Sequence, residues 1–172
     1  MHWLDAYLNS WILGEARHTL TTGSVSLFHS RAMFPSVGTL AFSENMLFPA
    51  VLALPFGSTN PLLVHHVVIL ISQIATAVCM WLWLRKRGLH ILPAIFGSLL
   101  FAYAPFRLAT IVKLHLVAAM FIPLCLLALT QFLEKPSTKR TASLVIIALV
   151  QMGTRLYYAV YLFLVMVGRY AM

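Results

Sequence analysis

The sequence predicts an all-α protein that crosses a membrane several times. Of its 172 residues, 61% are hydrophobic and only 9% are charged, a balance far from that of an ordinary soluble domain. Several apolar runs are long enough for a bilayer, which a helix crosses in roughly 20 residues. We therefore predict a polytopic helical membrane protein with about four to five membrane segments, preceded by an amphipathic extracytoplasmic helix.

The basic residues lie where cytoplasmic loops are expected. The net charge is +8, from 12 Lys and Arg against 4 Asp and Glu, which in a soluble protein would suggest a nucleic-acid partner. Here two basic groups lie at the ends of apolar runs, Arg85 with Lys86 and Arg87, and Lys135 with Lys139 and Arg140. This distribution is typical of the positive-inside tendency. The sequence therefore predicts no nucleic-acid partner and places both groups in the cytoplasm.

The first predicted element is a helix over residues 3–12. Large apolar residues recur there in pairs every four positions, which places them on one side of a helix: Trp3, Leu4, Tyr7, Leu8, Trp11 and Ile12. Asp5 and Asn9 fall on the opposite side, one turn apart. A helix that is aromatic on one side and polar on the other suits the membrane surface. Packing against the rest of the protein explains the same pattern.

Residues 1–60 form the first predicted domain, an extracytoplasmic loop. Between positions 21 and 43 the composition turns to Ser, Thr, Gly and Pro, which indicates an ordered loop with apolar anchors. Ser43 is a candidate helix cap, and Glu44 follows it in the first turn, where the helix dipole favours an acid. Residues 46–56 are apolar but too short to span, so we predict a re-entrant or interfacial helix.

Residues 61–172 form the second predicted domain, a transmembrane bundle. Its spans are expected near residues 61–84, 89–106, 114–133 and 141–168. Asn60 and Pro61 are a cap and first-turn pair for the first span. The last segment is longer than one straight span requires and contains Arg155 near its middle. Two interpretations remain open for it: one tilted helix that ends outside, or two short halves that break near Gly153 and return Arg169 to the cytoplasmic side.

The candidate chemistry lies on the predicted outer face, because an ionisable group in a membrane protein must be solvated or paired. Three of the four acids are placed there, Asp5, Glu15 and Glu44, together with the cations Arg17, Arg31, Arg107, Lys113 and His115. A carboxylate among several cations can deprotonate a hydroxyl and bind a lipid phosphate. For each cation taken singly, snorkelling to the lipid headgroups is the simpler explanation.

Residues that suit metal or thiol chemistry form no such cluster in the sequence. His65 and His66 lie in a span without a third ligand at suitable spacing. Cys79 and Cys125 lie inside apolar runs and lack a Cys-x-x-Cys spacing. The sequence therefore indicates neither a cysteine metal site nor a disulfide framework.

Short motifs along nearly the whole chain resemble one family. In the first loop these are Asp5, Asn9, Trp11, Ile12, Leu13, Phe34, Pro35, Leu40, Ala41, Ser43 and Glu44. Downstream they are Pro55, Asn60, Pro61, the Phe-Ala-Tyr-Ala-Pro-Phe-Arg stretch at residues 101–107, His115, Pro123, Tyr157 and Tyr158. In this order they resemble bacterial polytopic glycosyltransferases of the GT-C superfamily, whose members transfer a sugar from a polyprenyl-phosphate carrier to an extracytoplasmic acceptor.

The resemblance implies roles for particular residues. Asp5 matches the first-loop acid, expected to act as general base on the acceptor or to hold a divalent metal where one is used, and Glu44 matches a second catalytic acid. Asn9, Arg107, Lys113 and His115 are the candidate substrate-binding residues. The expected partners are a lipid-linked sugar donor and membrane lipid, without an organic cofactor. The expected location is the bacterial plasma membrane, with residues 1–60 extracytoplasmic.

The resemblance also predicts that the chain is an internal or truncated piece. No transmembrane helix precedes the loop, Leu4 stands where such enzymes often have Gly, and superfamily members have more spans. We therefore expect the chain alone to be inactive. The alternative function is a non-catalytic membrane module or a subunit that packs against a partner. A proton or solute carrier is disfavoured because no acid lies inside a predicted span.

Overall fold

The computed structural model describes residues 2–23, 28, 35–42, 46–57 and 60–170. All regular structure among these residues is helical. The α-helices are α1 (His2–Thr22), α2 (Leu47–Ala53), α3 (Pro61–Lys86), α4 (Ile91–Ala102), α5 (Pro105–Ala109), α6 (Leu114–Val117), α7 (Phe121–Glu134), α8 (Thr138–Met152) and α9 (Leu156–Tyr170). Short 3₁₀ turns occur at Thr39–Phe42 and Leu54–Phe56. The predicted all-α class is confirmed.

Three stretches of the described chain are long and apolar enough to cross a membrane: Pro61–Lys86, Ile91–Ala109 and Leu114–Glu134. The predicted spans 61–84, 89–106 and 114–133 overlap them. Large apolar side chains on α4 face outward, and Leu92 keeps 79% of its surface exposed. Lipid is the solvent that favours such a surface, because water penalises contiguous exposed apolar area. The molecule therefore has the composition and the surface of a membrane protein.

Helix α3 begins and ends where its sequence favours a boundary. Asn60 is the N-cap, and its Oδ1 accepts a hydrogen bond from the Leu62 amide at 2.9 Å. Pro61 occupies the first turn, where its missing N–H costs nothing. At the other end Lys86 lies in the last turn, where a cation offsets the helix dipole. Gly88 then turns the chain with a φ of 90°, which glycine adopts readily.

The second and third spans are interrupted near the end of the molecule that contains Asp5. Helix α4 ends before Tyr103, and Pro105 opens α5, because the residue before a proline disfavours helical backbone. Helix α6 is separated from α7 by Ala118 and its neighbours. Residues 110–113 thus join the second span to the third, and residues 118–120 interrupt the third span between α6 and α7.

The last apolar segment is not a single helix. Helices α8 and α9 contain 15 residues each and are separated by residues 153–155. At the break, the Gly153 carbonyl accepts a hydrogen bond from the Phe48 amide at 3.2 Å, so this carbonyl has a partner outside the helix. The structure has the break near Gly153 of the second interpretation, and the return of Arg169 to the cytoplasmic side stays a prediction. Helix α9 contacts both α8 and α7.

Helix α1 packs with its polar side toward the protein. It runs to Thr22, ten residues beyond the predicted end at Ile12. Asn9 is only 3% exposed, whereas the large apolar residues Leu4 and Tyr7 face outward. Residues farther along α1 join α2, α3 and α6 in one core, which includes Ile12, Leu13, Ala16, Ala50, Val64, Val68, Leu114 and Val117. The exposed apolar residues of the first turns of α1, Leu4, Tyr7, Leu8 and Trp11, therefore remain available to lipid.

The bundle has two chemically different ends. Val64, near the start of α3, shares the core with Leu114, and Lys113 and Asp5 lie beside it; we call this the Asp5 end. Helix α3 contains 26 residues, or about 39 Å at 1.5 Å per residue. Its last residue, Lys86, lies in a groove with Glu134 and Arg140; we call this the basic end. The division into domains 1–60 and 61–172 stays a prediction.

Candidate functional site

An ion pair joins α1 to the segment before α6. The Lys113 Nζ lies 3.2 Å from Asp5 Oδ2, with 33% of the Lys113 side chain and 39% of the Asp5 side chain exposed. Lys113 immediately precedes α6, where the third span begins. The carboxylate predicted as the reactive acid therefore lies beside the start of that span, with access to solvent.

A buried amide connects the same two elements one turn farther along α1. Asn9 Nδ2 donates a hydrogen bond to the Asp5 carbonyl at 2.7 Å. The amide nitrogen is thereby assigned, so Asn9 Oδ1 is the acceptor in the 2.9 Å contact with His115 Nδ1. His115 Nδ1 must carry a hydrogen whether the ring is neutral or charged. The proton that His115 gains or loses is therefore the one on Nε2, which bonds no residue among those described.

Two side chains hold the backbone that presents Lys113 and His115. The Tyr158 hydroxyl donates to the Leu116 carbonyl at 2.7 Å. Arg107 Nη1 donates to the Val117 carbonyl at 3.2 Å. These bonds satisfy carbonyls of α6, a helix of one turn that has little internal hydrogen bonding of its own.

Arg107 lies beneath this segment rather than on the surface. Its side chain is 8% exposed, and its guanidinium carbon lies 4.7 Å from the centre of the Phe101 ring. A buried guanidinium is stabilised by such a ring and by carbonyl acceptors. The geometry gives Arg107 a positioning role for residues 114–118, and its predicted direct contact with substrate stays a prediction.

The electrostatics of the site favour an anion. Arg155, Lys113 and Asp5 all lie close enough to His115 to act on it through their charges. The Arg155 guanidinium carbon is 5.1 Å from the Tyr157 ring centre and 5.6 Å from that of Tyr158. Among the described residues, the cations Lys113, Arg155 and Arg107 lie around the carboxylate of Asp5. A phosphate group matches such N–H donors.

The structure brings together four of the six predicted site residues: Asp5, Asn9, Lys113 and His115. Arg107 joins them through the backbone of α6. Glu44 lies outside the described residues, as does Arg31. Sequence reasoning missed Arg155 and Tyr158 as neighbours of the site. An arginine in an otherwise apolar segment was the available signal for Arg155.

No metal cluster is visible in the described part of the chain, where no three His, Cys, Asp or Glu side chains come together. His65 and His66 pack edge to face, with ring centres 5.5 Å apart. A metal at Asp5 stays a prediction, since its second acid, Glu44, lies outside the described residues.

Comparison with known proteins identifies no relative: no protein-family model, curated protein or solved structure matches the chain.

Proposed function

We propose that this chain forms the donor-binding part of a membrane glycosyltransferase that uses a polyprenyl-phosphate sugar. One observation carries the proposal. Asp5 and Asn9 contact Lys113 and His115, more than 100 positions away in the sequence, at the boundary of the third span. Carboxylate, imidazole and ammonium groups are thus held together where the headgroup of a lipid-linked substrate lies.

The cations supply the phosphate site. Lys113 offers ammonium N–H donors, and His115 lies beside it. Arg155 adds a positive charge nearby. As the bond from the anomeric carbon to the phosphate oxygen breaks, its electron pair passes to that oxygen. Positive charge next to the departing phosphate stabilises it, and most strongly where water is excluded.

Asp5 supplies the base. The acceptor hydroxyl oxygen forms a bond to the anomeric carbon while its proton passes to an Asp5 carboxylate oxygen. In the structure this carboxylate is paired with Lys113. A donor phosphate that attracts the Lys113 ammonium frees Asp5 for the proton. Donor binding thus prepares the base for the acceptor.

The proposal includes a location. The Asp5 end faces away from the cytoplasm in the bacterial plasma membrane, since cytoplasmic loops collect basic residues and Lys86, Arg87 and Arg140 lie at the opposite end.

The proposal is tested by native mass spectrometry, which measures the affinity of the purified chain in detergent for a polyprenyl phosphate. Lys113→Gln is expected to weaken binding about tenfold, which corresponds to about 1.4 kcal/mol. Lys139→Gln removes the same charge from an exposed site at the basic end and is expected to bind like wild type. Asp5→Asn is expected to bind at least as tightly as wild type, because it frees Lys113 and removes a negative charge.

The alternative function, a non-catalytic membrane module, gives a different result. Such a module would bind the uncharged polyprenol and the polyprenyl phosphate equally, and Lys113→Gln would change neither affinity. That outcome would contradict the proposal.

A further inference from the structure

The basic end contains an open groove between the ends of three helices. Its volume is about 480 Å³, within the usual range for small-molecule sites. The polar and charged residues that line it are Lys86, Arg87, Thr130, Gln131, Glu134 and Arg140. These residues come from the end of α3, the last turns of α7 and the first turn of α8. The groove lies at the end of the molecule opposite Asp5.

Arg140 is held in a fixed orientation within this groove. Its Nη1 donates to the Gln131 carbonyl and, at 3.1 Å, to the Lys135 carbonyl. These bonds tie the guanidinium to the end of α7. The remaining N–H groups, on Nε and Nη2, bond no residue in the described part of the chain. An arginine edge with two parallel donors matches two oxygens of a phosphate.

Positive charge exceeds negative charge in the groove. Lys86 and Arg87 are exposed, and Glu134 is the acid among the lining residues. Within the described residues, no ion pair shorter than 4.0 Å joins Glu134 to Lys86, Arg87 or Arg140. The positive charge of these cations therefore remains available to a ligand, whereas the carboxylate of Glu134 repels an anion.

The position of the groove indicates which anion reaches it. The spans Pro61–Lys86 and Leu114–Glu134 both end there, so the groove lies at the depth of the lipid headgroups. Basic pockets between transmembrane helices at this depth are suited to phosphate-bearing headgroups. We propose that the groove binds the phosphate of an anionic phospholipid, with Arg140 as the oriented donor and Lys86 and Arg87 as supporting cations.

This proposal is tested by native mass spectrometry, which measures the affinity of the full chain in detergent for phosphatidylglycerol. Phosphatidylcholine with the same acyl chains serves as the zwitterionic comparison. The double variant Lys86→Gln with Arg87→Gln is expected to lose at least about tenfold in affinity, or about 1.4 kcal/mol. The matched control, Lys135→Gln with Lys139→Gln, removes the same charge at the same end but outside the groove. Its affinity is expected to stay within about twofold of wild type.

Two further variants test the geometry. Arg140→Lys keeps the charge but loses the planar pair of donors, so it is expected to bind more weakly than wild type. Glu134→Gln removes the opposing charge and is expected to bind more tightly. If inorganic phosphate displaces the lipid, the groove recognises the phosphate group itself. If the lipid stays bound in the presence of inorganic phosphate, the groove recognises the whole headgroup. Either result supports the site.

Equal losses in the two double variants would overturn the proposal, because they would indicate diffuse attraction to a basic surface. Equal binding of the two phospholipids would also overturn it. The donor-site test instead measures polyprenyl phosphate binding by Lys113→Gln, a variant at the Asp5 end. Failure at this groove is therefore distinguishable from failure of the proposed donor site.

Discussion

The amide of Asn9 is the group on which the candidate site depends most. It is nearly buried and makes one hydrogen bond along its own helix and one to His115. Burial makes such bonds costly to lose, because an unpaired polar group there costs about 1–3 kcal/mol. The Asp5 to Lys113 pair is more exposed, so its contribution to stability is about 0–1 kcal/mol. We infer that Asn9 contributes structure and that Asp5 is available for chemistry.

A double-mutant cycle measures the contact between Asn9 and His115. Asn9→Ala, His115→Ala and the double variant are expected to give a coupling free energy of about 0.5–3 kcal/mol in unfolding. The control cycle pairs Ser10→Ala with His115→Ala. Ser10 is equally buried, but its hydroxyl donates to the Tyr7 carbonyl within α1, so its effect is expected to be additive. Additivity in the Asn9 cycle would mean that no direct bond joins the two side chains.

At the scale of elements, sequence reasoning located helices better than their interruptions. The Asn60 cap and the apolar length of α3 are local features, so they predicted the start of that helix. The break near Gly153 was one of two open interpretations, and periodicity carries no information on the hydrogen bond that its carbonyl accepts from Phe48, more than 100 positions away. In α1 the stripe identified the two sides of the helix, but not its end, which lies ten residues beyond the predicted one.

The candidate site shows the same division. Asp5, Asn9, Lys113 and His115 were predicted because ionisable and polar groups are few in an apolar chain and these four fall at the same predicted face. Tyr158 was interpreted as packing or part of an interfacial belt, because a tyrosine is common in both settings. Its bond to the Leu116 carbonyl arises from tertiary packing of α9, which no local pattern predicts.

Close packing of α3 against α4 is testable at Gly97. A Cβ added there would lie 2.9 Å from Leu84 Cδ1, the flexible end of a side chain. Gly97→Ala is therefore expected to be tolerated after a small movement of Leu84. Gly97→Leu is expected to destabilise the chain by about 1–3 kcal/mol through overpacking. Unfolding in detergent measures both effects.

The control for this series is Ala109→Leu, an enlargement at an exposed position of the same span. It is expected to change stability by less than about 0.5 kcal/mol. If Gly97→Leu were as stable as wild type, α3 and α4 would not approach each other closely at this point.

At the scale of the whole molecule, two charged ends are separated by an apolar middle. One end combines Asp5, Asn9, Lys113 and His115, and the other combines Lys86, Arg87 and Arg140. Helix α3 connects them over about 39 Å, slightly more than the roughly 30 Å thickness of the hydrocarbon core. Helix α3 is therefore long enough to place the two ends at opposite membrane surfaces. A lipid-linked sugar and an ordinary phospholipid are expected to bind at different ends.

Photocrosslinking tests the location of the donor site most directly. A polyprenyl phosphate with a photoreactive group next to the phosphate is bound to the chain in lipid nanodiscs and irradiated, and the labelled peptides are identified by mass spectrometry. We expect labels in the first turns of α1 and in residues 107–118, and their loss when unlabelled polyprenyl phosphate competes. Labels concentrated around Lys86 and Arg140, or spread over the outward face of α4, would contradict the proposed function.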